Sequence, residues 1–179
     1  VRSRNAYSES SVRTSASCTL SHGRMPLVAA VLRKVAALTG KGFRHMEGVQ
    51  ITQYAAGQHF GEHCDAAAPH GPKGWDFFAQ GGQRVATILV YLNTPPRGGC
   101  TAFPRIPYEV KPRKRRALVF LPGMADGRVD RQLLHAAMPA VDEKWVAQVW
   151  VREHEDPAWT LDYPKLPPGC KSCFDIYKL

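Results

Sequence analysis

The sequence has no long hydrophobic run and relatively few acidic residues. No apolar stretch in its 179 residues approaches the roughly 20 residues that a membrane-spanning helix needs, so we expect no membrane span in this chain. Its 24 lysines and arginines outnumber its 15 aspartates and glutamates, which gives a formal net charge of +9. Hydrophobic residues make up 44% of the chain and charged residues 22%, values typical of one globular protein with a buried core.

Cysteine is scarce and scattered. The five cysteines are an odd set, which argues against a disulfide framework, and only Cys170 and Cys173 are close in sequence. A single CxxC in a tail rich in proline and glycine is typical of a local disulfide or two free thiols, because no second ligand pair is nearby to complete a zinc site. The chain begins at Val1, so we expect a trimmed or mature form.

Much of the positive charge lies in one run, Lys111-Pro112-Arg113-Lys114-Arg115-Arg116. The run separates two strand-like segments, where a solvated turn is expected. No row of aromatic residues accompanies it, which argues against binding to single-stranded nucleic acid. A non-catalytic module that binds nucleic acid or acidic partners through this patch stays open as an alternative.

Hydrophobic periodicity separates the chain into two parts. From Met25 to Leu38 apolar residues recur at intervals of three and four, which predicts an amphipathic helix that ends near Gly40. Beyond residue 48 the period changes to two, and glycine and proline turns separate the segments. This part predicts a mainly β fold with short strands: Val49–Tyr54, Val85–Leu92, Ala117–Leu121 and Trp145–Arg152.

A His-x-Asp pair carries the strongest chemical signal. Side chains at positions i and i+2 of an extended strand point the same way, so His63 and Asp65 could hold one metal ion together. A third ligand is required, and His135 is a candidate far along the chain. Two imidazoles and one carboxylate on one triangular face are typical of non-haem Fe(II) oxygenases.

Five ordered segments resemble the catalytic domain of prolyl 4-hydroxylases, which are 2-oxoglutarate- and Fe(II)-dependent dioxygenases. An ordered series of five motifs is far more specific than His-x-Asp alone. The resemblance extends over roughly residues 12–153. The segments that carry it are Gln50–Phe60, Gly81–Asn93, Gly98–Pro104, Ala117–Phe120 and His135–Pro139.

The resemblance implies a double-stranded β-helix, also called a jelly roll or cupin-like core, with helices packed on one side. It implies a dioxygenase domain over residues 1–155 and leaves residues 156–179 as an irregular tail. A short strand is expected around Val12–Ser15. Since family members often work in the secretory pathway, the resemblance also suggests the endoplasmic reticulum, although the sequence itself identifies no compartment.

The resemblance also implies roles for individual residues. His63, Asp65 and His135 match the metal ligands, and Lys144 matches the residue that binds the distal carboxylate of 2-oxoglutarate. Further matches concern the cosubstrate and the substrate. Tyr54 and Thr101 match positions whose hydroxyl groups support this carboxylate. Arg84 and Trp150 match positions that hold the peptide substrate.

Alternation along the last strand predicts how deep these side chains lie. One face carries Lys144, Val146, Gln148, Trp150 and Arg152, and the opposite face is apolar. We expect the first face to line the interior of the barrel, with Lys144 deep and Trp150 and Arg152 near its mouth.

Three positions depart from the family pattern. Phe60 stands where a tyrosine is usual, which puts the identity of the substrate in question. The interval from His135 to Lys144 is one residue short, so either the turn before Lys144 is tight or its register shifts. Arg115 and Arg116 replace a common Gly-Asp turn.

The function implied is hydroxylation of peptidyl proline to 4-hydroxyproline, with release of succinate and CO2. The cofactors implied are Fe(II), 2-oxoglutarate, O2 and ascorbate, and the partner is a peptide or protein that contains proline. The same oxygenase chemistry on another residue, a small molecule or a nucleobase stays open as an alternative. We also expect residues 66–81, rich in proline and glycine, to form a loop that closes over the peptide.

Overall fold

The computed structural model describes residues 12–20, 25–68 and 74–158. Nine strands and two helices account for most of the regular structure in these ranges, with short 3₁₀ turns at Phe43–His45 and Arg131–Leu133. The helices are α1 (Pro26–Thr39) and α2 (Gly74–Ala79). The strands are β1 (Ala16–Leu20), β2 (Val49–Tyr54), β3 (Phe60–His63), β4 (Arg84–Tyr91), β5 (Thr101–Phe103), β6 (Tyr108–Val110), β7 (Ala117–Phe120), β8 (His135–Ala137) and β9 (Lys144–Arg152).

The strands form two antiparallel sheets. The larger sheet has the order β1-β2-β9-β4-β7, and the smaller has the order β3-β8-β5-β6. Neighbouring strands are often distant in sequence, as β2 and β9 are, so the chain crosses repeatedly between the sheets. This arrangement confirms the prediction of a mainly β, jelly-roll core with flanking helices.

Helix α1 covers the outer face of the larger sheet. Its buried residues Val28, Leu32 and Val35 pack against apolar side chains of β2, β4 and β9. Pro26 occupies the first turn, where its missing N–H costs nothing, and Gly40 ends the helix at a φ of 69°. The helix therefore begins and ends within one residue of the predicted bounds. No helix in the described residues is long and apolar enough to cross a bilayer.

Strand β9 divides the two hydrophobic clusters of the protein. Ala147, Val149 and Val151 face α1 in the outer cluster, whereas Val146 belongs to the inner cluster between the sheets. The remaining side chains of the inward face are polar and nevertheless buried, among them Lys144, which is 1% exposed. The alternation predicted from the sequence is confirmed, and it points a polar stripe into the barrel.

The prediction of a strand at Val12–Ser15 is wrong. Arg13 makes only an isolated bridge with Phe60, and the first strand is β1, a few residues later, which pairs with β2. The expected loop over residues 66–81 also needs correction where the structure describes it. Helix α2 occupies part of it, and Ala66 and Ala67 are buried; residues 69–73 lie outside the described ranges, as do residues 159–179 of the expected tail.

The basic run forms an exposed turn between β6 and β7, as expected. The backbone of Arg115 adopts a φ of 71°, and among the described residues it is the one non-glycine residue with a positive φ. Its N–H donates to the carbonyl of Tyr91 at 3.0 Å, which holds the turn against the end of β4. A left-handed conformation strains any residue with a Cβ, so the departure from a glycine turn has a structural cost here.

We expect Arg115→Gly to raise the free energy of unfolding by about 0.5–1 kcal/mol. Relief of the left-handed strain, about 1–2 kcal/mol, outweighs the extra entropy that glycine gives the unfolded chain, about 0.4–1 kcal/mol. Urea denaturation measures the difference. Arg113→Gly is the matched control, because it removes the same charge from a residue outside the positive-φ set. It should leave stability equal or lower, and equal stabilisation by both variants would show that charge repulsion, not φ, is responsible.

Candidate metal centre and substrate cleft

Two strands of the smaller sheet bring distant histidines together. His63 at the end of β3 pairs directly with His135 at the start of β8, and their ring centroids are 4.3 Å apart. Asp65 follows on a bend after β3 rather than within the strand, so its approach to His63 comes from that bend and not from strand alternation alone. One ligand atom from each of these three residues lies within 4.8 Å of the others.

The backbone sets the tautomer of both imidazoles. His63 Nδ1 is 2.8 Å from the carbonyl oxygen of Gly61, and His135 Nδ1 is 3.0 Å from that of Leu133. A carbonyl oxygen only accepts hydrogen bonds, so each Nδ1 carries the proton and each Nε2 keeps its lone pair. Both Nε2 atoms face Asp65, at 3.7 Å and 3.8 Å from its carboxylate oxygens.

The electrostatics keep the His63 imidazole neutral and the Asp65 carboxylate charged. Burial, with the neighbouring His135, lowers the pKa of His63 to about 4. Burial alone would raise the pKa of Asp65, but His135, His63 and the hydroxyl of Thr87 bring it below its ordinary value. Thr87 Oγ1 donates to Asp65 Oδ2 at 2.7 Å. Two imidazole nitrogen donors and one oriented carboxylate suit a divalent ion of the iron type, and they leave positions open for other ligands.

Lys144 is a buried cation without an acidic neighbour. Its Nζ donates to the carbonyl of Gly99 at 2.9 Å and lies 4.2 Å from the centroid of the Tyr54 ring. Burial lowers its pKa to about 8, and no carboxylate within the described ranges forms an ion pair with it. A side chain at Gly99 would approach Lys144 Cδ to 3.1 Å. Lys144 is the first residue of β9, after a tight turn that Arg97 and Asp142 hold with an ion pair at 3.1 Å.

A small inner pocket joins the triad to Lys144. Its volume is about 20 Å³, room for about one water molecule. Thr101 lines it, and the Thr101 hydroxyl is 2.8 Å from that of Tyr91. Tyr54, His63, His135 and Lys144 line it as well, so the structure brings the predicted cosubstrate residues and two of the three predicted metal residues to one cavity.

A larger cleft of about 610 Å³ opens outside the triad. Arg84 and Trp150 line it, and the Arg84 guanidinium stacks 4.0 Å above the Trp150 ring. Glu47 accepts two hydrogen bonds from Arg84, at 2.6 and 2.7 Å. Trp150 is 8% exposed, and its Nε1 is the single buried side-chain donor that lacks a partner among the described residues. On the inward face of β9, Lys144 thus lines the inner pocket, and Trp150 and Arg152 line the cleft, as predicted.

Phe60 lies between the two cavities and lines both of them. Its ring stacks on the His63 ring with centroids 3.7 Å apart. The position brings an apolar face to the metal ligand, where a tyrosine would add a hydroxyl. Phenylalanine in place of the usual tyrosine therefore still packs against the His63 ring.

Three residues at the site escaped the analysis of the sequence. Thr87 had a usable signal, because it is a hydroxyl residue at an inward position of an apolar strand, where a buried polar group needs a partner. Glu47 and Arg13 had no such signal in the sequence. Each precedes a strand and reaches the cleft only through the packing of distant segments.

A jelly-roll core that holds a His, Asp, His triad beside a buried lysine is typical of non-haem iron oxygenases. Residues 49–152 match the 2OG-Fe(II) oxygenase superfamily, and the chain belongs to that family. Membership confirms the cofactors Fe(II), 2-oxoglutarate and O2; ascorbate stays a prediction.

The similarity to prolyl 4-hydroxylases is also confirmed. The chain is 32% identical to human prolyl 4-hydroxylase subunit alpha-1 over 142 residues, which is 79% of this chain and 26% of the human one. It is 34% identical to rat subunit alpha-3 over 133 residues, 72% of this chain and 24% of the rat one.

Among solved structures, the fold is similar to the viral collagen prolyl hydroxylase of Paramecium bursaria Chlorella virus 1 in its 2OG complex. The TM-score is 0.66 and the identity 26%, with 78% of this chain and 79% of the viral chain covered. The chain spans between about a quarter and about half the length of the curated relatives it matches.

We expect Thr87→Val to weaken Mn(II) binding by about 10–100-fold, the usual cost of removing a group that orients a metal ligand. The substitution keeps the shape of the side chain and removes the hydrogen bond to Asp65. Calorimetric titration of the metal-free protein measures the affinity. Thr87→Ser keeps the hydroxyl and is the control; unchanged Mn(II) affinity in a folded Thr87→Val protein would show that this bond does not orient Asp65.

Proposed function

We propose that this chain is the catalytic domain of a dioxygenase that hydroxylates proline in peptides and converts 2-oxoglutarate to succinate and CO2. The observation that carries the proposal is Lys144, a buried ammonium group that forms no ion pair with any residue the structure describes and that shares one pocket with two histidines of the triad. A buried unpaired charge is costly. A dicarboxylate that reaches from the triad to Lys144 relieves that cost.

In this proposal, Nε2 of His63, Nε2 of His135 and the carboxylate of Asp65 bind Fe(II). Their tautomers and the hydrogen bond from Thr87 already orient them for this role. The ferrous ion, when bound, supplies the chemistry that activates dioxygen. Ascorbate is the reductant that would restore iron oxidised in uncoupled cycles.

Lys144 binds the distal carboxylate of 2-oxoglutarate by a charge-assisted hydrogen bond, with the hydroxyls of Tyr54 and Thr101 in support. Such a bond is stronger in a dry pocket than in water. Because the inner pocket, at about 20 Å³, has room for about one water molecule, binding requires its walls to separate. Lys144 exchanges the Gly99 carbonyl for the carboxylate in the same step.

The outer cleft binds the peptide. Its volume of about 610 Å³ is adequate for several residues of an extended chain, and it opens directly onto the triad. The buried Nε1 of Trp150 lacks an acceptor, and a peptide carbonyl would supply one. Arg84 packs on the same ring and also donates to the backbone carbonyl of Asp65 at 3.4 Å, so it positions the cleft relative to the metal ligand. Proline is the proposed target because the relatives found are named prolyl 4-hydroxylases.

The direct test combines Fe(II), 2-oxoglutarate and ascorbate with a panel of peptides that contain proline. We expect succinate to form in proportion to peptide, and mass spectrometry to place an added oxygen on proline. His135→Ala should abolish both signals while it keeps the fold. A hydroxyl mapped to any other residue would overturn the assignment to proline, and peptide binding without succinate would favour a binding module instead.

We expect the affinity for 2-oxoglutarate to fall about tenfold per pH unit above pH 8. Since the pKa of Lys144 is about 8 in the ligand-free protein, the ammonium is charged below that pH and must take up a proton on binding above it. Calorimetric titration of the Mn(II)-loaded protein between pH 6.5 and 9.5 measures the effect.

Lys144→Met should weaken binding by about 100-fold at pH 7 and remove its pH dependence. Lys111→Met, which removes one charge from the exposed basic run, is the control and should behave as the parent protein. An affinity that stays constant up to pH 9.5 would show that Lys144 keeps its proton over this range, and an affinity unchanged in Lys144→Met would rule out Lys144 as the group that binds the carboxylate.

A further inference from the structure

Four arginines line the outer cleft: Arg13, Arg44, Arg84 and Arg152. Three carboxylates line it as well, those of Glu47, Asp65 and Asp156. Arg84 and Arg152 both donate to Glu47 Oε1, at 2.6 Å and 2.8 Å. Both of these cations therefore have an acidic partner within the cleft.

Arg13 has only neutral hydrogen-bond partners among the described residues. Its Nε donates to Ser15 Oγ, and its Nη2 donates to Gln50 Oε1 and Thr52 Oγ1, each at 3.0 Å. The guanidinium also lies 4.8 Å from the centroid of the Phe60 ring. These contacts fix the orientation of the group, and no carboxylate among the described residues pairs with it. A half-buried cation held in this way is suited to pair with an anion from outside.

The other acidic residues of the cleft are already engaged. Asp65 belongs to the triad, and Asp156 accepts a hydrogen bond from the N–H of Ala158 at 2.9 Å. At the rim, Arg44 pairs with Glu155 at 3.2 Å, and both side chains are more than half exposed. None of these acids pairs with Arg13. Arg13 is therefore the arginine of the cleft that has no acidic partner among the described residues.

The distance from the triad to Arg13 sets where an acidic group would bind. The Phe60 ring separates them, with 3.7 Å between the ring centroids of Phe60 and His63 and 4.8 Å from the Phe60 centroid to Arg13. An extended peptide advances about 3.3 Å per residue. A residue hydroxylated beside the triad therefore presents a side chain to Arg13 from about two or three positions away.

We propose that the cleft selects peptides with an aspartate or glutamate two or three residues from the hydroxylated position, and that Arg13 is the residue that determines this specificity. The inference rests on the proposed function, because it assumes that the cleft binds the peptide substrate. Complementary charge raises the rate of encounter, and a charge-assisted hydrogen bond slows dissociation.

The test uses alanine-proline peptides in which one alanine is replaced by Asp, Asn or Lys, two or three positions to either side of the central proline. Binding of fluorescein-labelled peptides to the metal-free protein, followed by anisotropy, gives a readout that needs no turnover. Succinate formation gives the second. We expect at least one Asp peptide to bind about tenfold more tightly than its Asn partner, and this preference to shrink as salt is added.

Arg13→Gln should reduce the preference for Asp over Asn to about unity, and Arg13→Glu should reverse it in favour of Lys. Arg13→Lys keeps the charge and should retain most of the preference, which separates charge from packing. Arg105→Gln is the matched control, because it removes the same charge from an exposed turn outside the cleft and should bind all peptides as the parent protein does. Circular dichroism checks that each variant folds.

The outcomes separate this inference from the proposed function. Equal affinities for the Asp and Asn peptides at every position would overturn the inference while hydroxylation of proline stands. An Asp preference that survives in Arg13→Gln would overturn the role of Arg13. If peptides bind with the Asp preference but none is hydroxylated, the charge selection holds and the proposed reaction fails.

Discussion

The pairing of β3 with β8 places His63 directly opposite His135, and every later feature of the site depends on this register. Side chains alternate between the faces of a sheet, so a slip of one residue would turn one imidazole away from the other. The Nδ1 hydrogen bonds to Gly61 and Leu133 then rotate both rings until their lone pairs face Asp65. The three residues of the triad come together although no two of them lie in the same strand.

The rest of the protein holds buried charge around that pair. Lys144 enters the barrel because β9 alternates strictly, and Tyr54 from the neighbouring strand covers its ammonium group. At the other end of the same strand, Arg152 donates to the carbonyls of Phe77 and Gly82, at 2.6 Å and 2.8 Å, and fastens the segment around α2 to the sheet. One strand thus connects the inner pocket, the outer cleft and the segment around α2.

Long elements with a clear period were predictable, and short ones were not. Helix α1 and strands β2, β4 and β9 are long enough for their hydrophobic period to be read from the residues. Strands β5, β6 and β8 have three residues each, too few for a period of two to stand out, and hydrogen bonds from neighbouring strands define them. The strand expected at Val12–Ser15 came from resemblance alone, and Arg13 there extends its side chain into the cleft instead.

The sequence by itself determined the donor chemistry of the site: two imidazoles, one carboxylate and one lysine, in an order typical of a known family. Only the tertiary structure decided which other groups surround that chemistry. Thr87 against Asp65, Glu47 between two arginines and Phe60 between two cavities are all contacts between distant segments. Their distances follow from strand register and from the bend after β3, because pattern along the chain specifies which way a side chain points but not what it meets there.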